Sequence, residues 1–549
     1  MLARRQVAAG VVALVLAAVA AGPAAAGAGP QPPAPAATGA PALLGLRVTN
    51  GGPPFAGDRR LLATISPNGD GFRDRAVVTF RLKRPARVTL QAFTTRKTLE
   101  SVVHEQVVRL GAGRHTLRWR PPATLEPRTY VLALTVRDAR GRVRQYGCAQ
   151  PVPCLVQPAP VVRVQGVDAA FTRQSYAPGE QAELSIATDA RAVTITLLHA
   201  GPEEETTTRN DVLLGVPVSD PATISWRGKR NAPQRVRIGI GDWPSGLYAA
   251  RIEAADGRVG FAPFVVRPAV LGQASRVAVV LPTDTWQAYN FQDADGDGWG
   301  DTWYASGRQR TVDLTRPHLT RGVPFRYRLY DLPFLRWLDR RGKVVDVLAD
   351  EDIARFRDGD TLARTYDLIV FPGHSEYVTT RAYDLVERYR DLGGNLMFLS
   401  SNSFFWRVDR RGQTVTRVRR WRDLGRPEAA LIGVQYRAND DGSLQDAYVV
   451  VGADAAPWLF EGTTLTNGRR FGNYGIEIDQ RTADSPDGTI LLATIPNLLG
   501  PGLGPEMTYY ETQAGARVFA AGVLAWAGSA RLFSVGTMLE NLWARLGTP

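Results

Sequence analysis

Cysteine is scarce: the 549 residues contain two, Cys148 and Cys154, and none lies in the C-terminal half. Cysteine-based catalysis and thiolate metal sites are thereby excluded from that half. The two that exist are separated by Ala-Gln-Pro-Val-Pro; in an exported chain such a pair is expected to form a disulfide closing a proline-stiffened loop. Long apolar runs are also missing. After residue 20 no stretch reaches the roughly 18 apolar residues that a membrane-spanning helix needs, so no transmembrane anchor is expected. The net charge is +13, yet it comes from dispersed arginines. Without a dense basic block or a recognition motif, nothing points to nucleic acid. A basic surface suits an anionic cell-wall or membrane surface, so cell-wall association is a partner expectation, although a coding bias toward Arg, Ala and Gly accounts for the charge and is preferred.

What is present begins with a leader. Arg4 and Arg5 precede the apolar residues 11–20, and Ala24-Ala25-Ala26 is a small-residue cleavage site. The expectation is a secretory signal over 1–26 and an extracellular protein. Residues 27–42, rich in Pro, Ala and Gly, read as a flexible linker. Residues 43–157 and 158–268 each read as an immunoglobulin-like β-sandwich. Short alternating strands, such as 76–82 and 130–136 in the first and 192–197 and 247–252 in the second, are separated by turn residues. At the start of the first module, Asn68, Asp70 and Asp74 offer either a calcium site or an Asn-Gly/Asp-Gly turn, and the turn is preferred. From residue 269 to 549 the pattern changes to strands alternating with helices, which predicts an α/β domain with a mostly parallel sheet.

The chemistry concentrates where two buried strands end. Residues 368–371, Leu-Ile-Val-Phe, run into Pro372, Gly373, His374, Ser375, Glu376 and Tyr377; residues 396–399, Leu-Met-Phe-Leu, run into Ser400, Ser401 and Asn402. Open α/β sheets bind ligands beyond the carboxyl ends of their strands, so His374, Glu376 and Asn402 are candidates. Ser375 lacks the Gly-x-Ser-x-Gly setting of a nucleophile elbow. A second motif comes directly after Asn290. Asp293, Asp295, Asp297 and Asp301 stand at positions one, three, five and nine of a loop with Gly298 at six and the Trp299 carbonyl at seven, which matches an EF-hand-type calcium loop. Position twelve is Tyr304, so the usual bidentate glutamate is absent.

An ordered series of short motifs carries a resemblance. It comprises Thr-Trp-Gln-Ala-Tyr-Asn at 285–290, Leu-Pro-Phe-Leu-Arg-Trp-Leu at 332–338, Gly-His-Ser-Glu-Tyr at 373–377, Gly-Gly-Asn-Leu-Met-Phe-Leu at 393–399, Trp406-Arg407, and Met-Thr-Tyr-Tyr-Glu at 507–511. The series resembles the C-terminal domain of the N,N-dimethylformamidase large subunit, a glutamine-amidotransferase-like α/β fold. The resemblance implies mononuclear iron held by Tyr289, Glu376 and a second tyrosine, Tyr330 or else Tyr327. It also implies that His374, Asn402 and Glu511 face the substrate. The implied function is a secreted iron-dependent hydrolase of amide-type C–N bonds acting on a small-molecule amide, the alternative being a non-catalytic surface or carbohydrate-binding protein that kept the fold. Phenolate and carboxylate are hard oxygen ligands suited to ferric iron.

Overall fold

The computed structural model describes residues 42–96, 99–147, 159–305 and 309–547. Both the leader and the Cys148/Cys154 pair lie outside the described residues. Residues 41–549 form one compact unit; of the described residues 39% are strand and 15% helix.

Two sandwich-like pairs of sheets come first. In Ala76–Leu82 the residues Ala76, Val78, Phe80 and Leu82 are buried while those between are not, the period-two pattern of a strand with one face on a core. That strand is the middle of a three-stranded sheet between Leu43–Thr49 and Gly113–Trp119. It faces a six-stranded sheet that contains Ala86–Thr95 and Thr129–Arg137. Strand Val161–Val164 completes this second sheet, pairing with both Leu62–Ile65 and Thr129–Arg137. The next pair of sheets is built the same way. Asp168–Phe171, Gln181–Ala187 and Gln234–Gly239 lie on one side; Ala192–Ala200, Gly246–Ala254 and Val259–Val266 lie in a six-stranded sheet on the other.

The expectation of a mostly parallel α/β domain is corrected by the nine-stranded sheet of the C-terminal half, which is mixed. Its spatial order is Asp346–Ala349, Val277–Leu281, Leu368–Phe371, Asn395–Phe398, Arg517–Ala520, Glu506–Glu511, Ile490–Thr494, Gln445–Val450, Arg470–Gly475. The first four pairings are parallel and the last four antiparallel. The reason is in the connections. A parallel neighbour needs a long crossover, and helices Leu332–Arg340 and Thr380–Asp391 provide that in the first half. After residue 490, turns with Gly500, Gly502 and Gly515 at positive φ fold the chain straight back between the last three strands, which permits only antiparallel pairing there. A smaller mixed sheet of four strands, including Tyr377–Thr379 and Trp406–Arg411, and a two-stranded ribbon, Gln435–Asn439 with Glu477–Gln480, cap the carboxyl end of the parallel half.

One hydrophobic core crosses from the second sandwich into the nine-stranded sheet. Leu247, Ala249, Phe261 and Val265 of the sandwich pack in the same cluster as Val277, Val279, Leu335 and Trp337. At this seam the Phe261 N–H donates to the Arg321 carbonyl (2.8 Å). His318 is buried beside it, its Nδ1 without a hydrogen-bond partner. Burial, with Arg316 adding repulsion, pushes its pKa down from 6.5 to about 3. The folded state therefore holds a neutral ring that the unfolded chain protonates below about pH 6.5, so stability is lost as pH falls from there toward 3. The expected result is that His318→Gln flattens the acid limb. The stability difference between wild type and variant should change by about 1.4 kcal/mol per pH unit below 6.5, read from urea midpoints at pH 7.5 and 5. Parallel acid limbs would show that the ring is solvated.

Candidate functional site

The site is assembled from the segments that leave the carboxyl ends of the parallel strands. After Val277–Leu281 comes the short helix Thr283–Ala288, and Tyr289 is its C-cap, the Tyr289 N–H donating to the Thr285 carbonyl. After Leu368–Phe371 comes the loop bearing His374 and Glu376, tied to that helix by the Glu376 N–H, which donates to Thr285 Oγ1 (3.2 Å). Gly373 is required here: a Cβ would stand 2.7 Å from both Asp331 Oδ1 and Pro282 Cγ. After Asn395–Phe398 the chain turns sharply through Asn402 and Phe404, both at positive φ. It then runs alongside the His374 loop: Phe404 N–H donates to Ser375 O (2.8 Å) and Trp406 N–H to Glu376 O (2.9 Å). The two loops expected to converge do so.

Tyr289 Oη donates to Glu376 Oε2 at 2.6 Å. His374 Nε2 lies 3.8 Å from Glu376 Oε2 and 3.2 Å from Glu477 Oε2. The His374–Glu477 approach is close but not aligned as a hydrogen bond, so both atoms are buried without a partner of good geometry. The contact is electrostatic. Burial opposes charge on the imidazole, but Glu477 and then Glu376 outweigh it and raise the His374 pKa to about 9. Burial raises Glu376 to about 7, against the pull of His374 and with a further push from Glu477. Burial also lifts the Tyr289 phenol well above 10, with Glu376 adding to it. Two carboxylates thus face one imidazolium in a dry corner, an arrangement that leaves room for more positive charge.

This corner opens into a pocket of about 740 Å³, its mouth included, walled by Tyr289, Tyr304, Phe325, Tyr330, His374 and Glu477. The Tyr304 ring stands edge-on to Tyr289 at 5.2 Å. Of the two candidates for the second tyrosine, Tyr330 lines the pocket, whereas Tyr327 is buried against Trp286 (6.4 Å between centroids) in the shared core.

A family model described as N,N-dimethylformamidase beta subunit-like, C-terminal, matches residues 226–538, from within the second sandwich through the nine-stranded sheet. The chain belongs to this family. Among curated relatives, the N,N-dimethylformamidase beta subunits of Paracoccus aminophilus and an Alcaligenes species are each 32% identical to it, over 123 and 124 residues. Each alignment covers 22% of this chain and 16% of the relative, so the chain spans about a sixth of the length of these relatives. Solved structures of Escherichia coli alpha-2-macroglobulin align at 12% identity with a TM-score of 0.22, over 41% of this chain and 16% of theirs, which carries no argument.

Within this N,N-dimethylformamidase beta subunit-like domain, two expected residues sit elsewhere. Glu511 does not reach the pocket. Its strand runs antiparallel to Arg517–Ala520, so its last residue pairs with Arg517 at the opposite end of the sheet, and its carboxylate meets Arg545 (2.9 Å) at the surface. Asn402 is buried behind the pocket and contributes its backbone: the N–H donates to both carboxylate oxygens of Asp479 (2.9 and 3.0 Å). Conversely, Glu477 and Asp479 join the site without having stood out in the sequence. The alternation Ile476, Glu477, Ile478, Asp479 is the available signal, since it puts both acids on one face of a strand. Asp331, buried and raised to about 7 by that burial, is hidden in the sequence by standing just before the Leu-Pro-Phe helix.

The acidic loop lies beside the site. Carboxylate oxygens of Asp293, Asp295 and Asp297 come within 4.8 Å of one another. Asp293 accepts from the N–H groups of Gly296 (2.6 Å) and Gly298 (2.8 Å). Asp301 instead accepts from the Ala294 N–H (2.8 Å), with Arg316 4.0 Å away. The Trp299 N–H donates to Asp297 Oδ1 (2.7 Å), and the indole packs on the first sandwich beside Phe93 and Val131. The loop is docked there by Arg59 donating to Gly296 O (2.9 Å) and Thr95 Oγ1 to Gly298 O (2.6 Å).

Proposed function

We propose that the protein hydrolyses amide-type C–N bonds of small molecules at the Tyr289–His374–Glu376 pocket, with iron held by Tyr289, Tyr330 and Glu376. The observation that carries this reading is the 2.6 Å approach of Tyr289 Oη to Glu376 Oε2, which joins residues from two different strand ends in the buried corner of an aromatic pocket. The name of the curated relatives supplies the reaction class. The donor set fits the metal: two phenols and a carboxylate are hard oxygen ligands, and the carboxylates of Glu376 and Glu477 against the single His374 imidazolium leave a net negative charge that a cation would balance. Bound iron supplies Lewis acidity toward an amide carbonyl or a water.

The chain's own groups perform the rest. His374, held between the carboxylates of Glu477 and Glu376, carries a proton that a departing amine nitrogen can take. The charge of Glu477 keeps that proton on Nε2, and once it has passed to the amine the neutral imidazole takes up the proton released by the attacking water. The aromatic wall of Tyr304, Phe325 and Tyr330 excludes water and accepts the alkyl groups of the substrate. Metal analysis of the purified protein should find about one iron per chain and a visible tyrosinate charge-transfer band, as hard-ligand sites of this type bind iron tightly. Tyr289→Phe should weaken the band. Protein without iron, inactive across a panel of formamides and acetamides, would overturn the reading in favour of a non-catalytic binding protein.

We also propose calcium in the loop carrying Asp293, Asp295 and Asp297. Burial raises Asp293 to about 7 and Asp297 to about 6, with neighbouring aspartates adding to it; these are carboxylates that a divalent ion would keep charged. Tyr304, at the twelfth position, belongs to the pocket wall and is not counted among the ligands. Chelation is expected to lower the melting temperature and Asp297→Ala to abolish that response, because a ligand bound only to the folded state stabilises it by mass action. Superimposable melting curves with and without chelator would remove calcium.

A further inference from the structure

On the far side of the helical segment that supplies Tyr330 lies a second concavity, larger than the first and of opposite character. It is a groove of about 1200 Å³, open to solvent, lined by Arg328, Arg336, Arg340, Arg341 and Arg531 and, among the described residues, by no acidic one. We propose that this groove binds an anionic polysaccharide, a chain bearing repeated sulfate, phosphate or carboxylate groups.

The charge is not neutralised by ion pairing from within. Arg341 shares Glu540 (3.3 Å) with Lys343; among the described residues the other four arginines form no ion pair within 4.0 Å. Arg336 instead donates to the Glu204 and Glu205 carbonyls (3.2 and 3.3 Å), and Arg328 to Asn210 Oδ1 (2.8 Å). These contacts orient the guanidinium groups; Arg336 also acts on the buried Glu203 carboxylate, so the charge offered to an external anion is chiefly that of Arg328, Arg340 and Arg531. Arg336 and Arg340 are four apart in helix Leu332–Arg340, where like charges repel at a cost to the helix. An external anion would offset that cost. Guanidinium forks match oxyanions in a planar, two-point manner.

The size and lining narrow the ligand. A single phosphate or sulfate would fill a small part of the groove, so an extended chain fits better. Single-stranded nucleic acid uses exposed aromatic rings as stacking platforms. The one ring lining this groove, Trp337, is buried in the core against Phe334 and Trp543. The floor is completed by Leu329, Leu332 and Pro333, with the hydroxyls of Thr206 and Thr207 at one side, surfaces that suit sugar rings and their hydroxyls.

The test is binding of a fluorescent dextran sulfate to the full chain across a salt series, compared for Arg340→Gln/Arg531→Gln and for Arg114→Gln/Arg118→Gln. All four arginines are exposed, and the second pair removes the same charge from strand Gly113–Trp119 of the first sandwich. The expected result is at least a tenfold loss of affinity for the groove variant only, with a shallower salt dependence because fewer counterions are released. Neutral dextran should not bind. Equal losses in both variants would show that net charge alone attracts the polymer and would overturn the proposal. So would a single-stranded oligonucleotide that binds more tightly than dextran sulfate and loses affinity only in the groove variant.

Discussion

Glu376→Gln is expected to lose amide turnover by about 10³-fold or more, equivalent to about 4 kcal/mol of transition-state stabilisation, and to lose iron with it. Glutamine has nearly the shape of glutamate and still accepts a hydrogen bond from Tyr289, so the pocket keeps its outline. What goes is the negative charge, and with it the ability to hold a hard cation and part of the field on His374. Because burial and Glu477 both oppose ionisation of Glu376, the variant should melt no lower than wild type measured without metal. An inactive but undiminished fold is the signature that separates a lost reaction centre from a lost structure. Turnover within tenfold of wild type would sink the assignment of Glu376, and the iron reading with it.

Gly322→Ala is expected to destabilise the protein by about 3 kcal/mol or more, in the range reserved for forced backbone change. Gly322 has φ +88°, and a Cβ there would stand 1.7 Å from the Phe261 carbonyl oxygen and 2.5 Å from its carbon. Both are backbone atoms of a strand fixed on either side, so no rotamer change can relieve the overlap. The control is Gly342→Ala. It also has positive φ (+59°) but nothing within 4 Å, so only the left-handed strain of about 1 kcal/mol applies. Thermal unfolding of the two variants side by side checks the argument. Similar melting temperatures for both would mean that the sandwich can draw back from residue 322, contrary to the packing of the seam.

Much of the site was legible in the sequence because its strands are short, wholly apolar and bounded by turn residues. Leu-Ile-Val-Phe and Leu-Met-Phe-Leu end where the polar loops begin, and those loops do meet. The meeting of Tyr289 with Glu376 needed the family resemblance, since no spacing rule links positions so far apart in the chain. The mixed sheet was not legible, because a strand's direction is set by its connection. The turns between 495 and 516 carry no Asn-Gly or Asp-Gly hairpin signal, and Glu506–Glu511, acidic at both ends, does not announce itself as a strand. The misplacement of Glu511 comes from that one gap: a strand running the other way carries its last residue to the wrong edge. Glu477 and Asp479 escape notice for a related reason, as they arrive on a two-stranded ribbon that caps the sheet rather than on a strand end.

The continuous core between the second sandwich and the nine-stranded sheet bears on how this chain can be cut and recombined. Severed after residue 268, the downstream piece would present to water the apolar surface that Leu247, Ala249, Phe261 and Val265 now cover, and Arg321 would lose its partner strand. The family match itself starts at residue 226, ahead of the last three strands of that sandwich, Gln234–Gly239, Gly246–Ala254 and Val259–Val266. The smallest unit that inheritance can move intact, or that a protease can release folded, therefore carries those strands as part of the body built on the nine-stranded sheet. The sandwich is less an accessory threaded before a separate domain than one wall of the domain that carries the pocket.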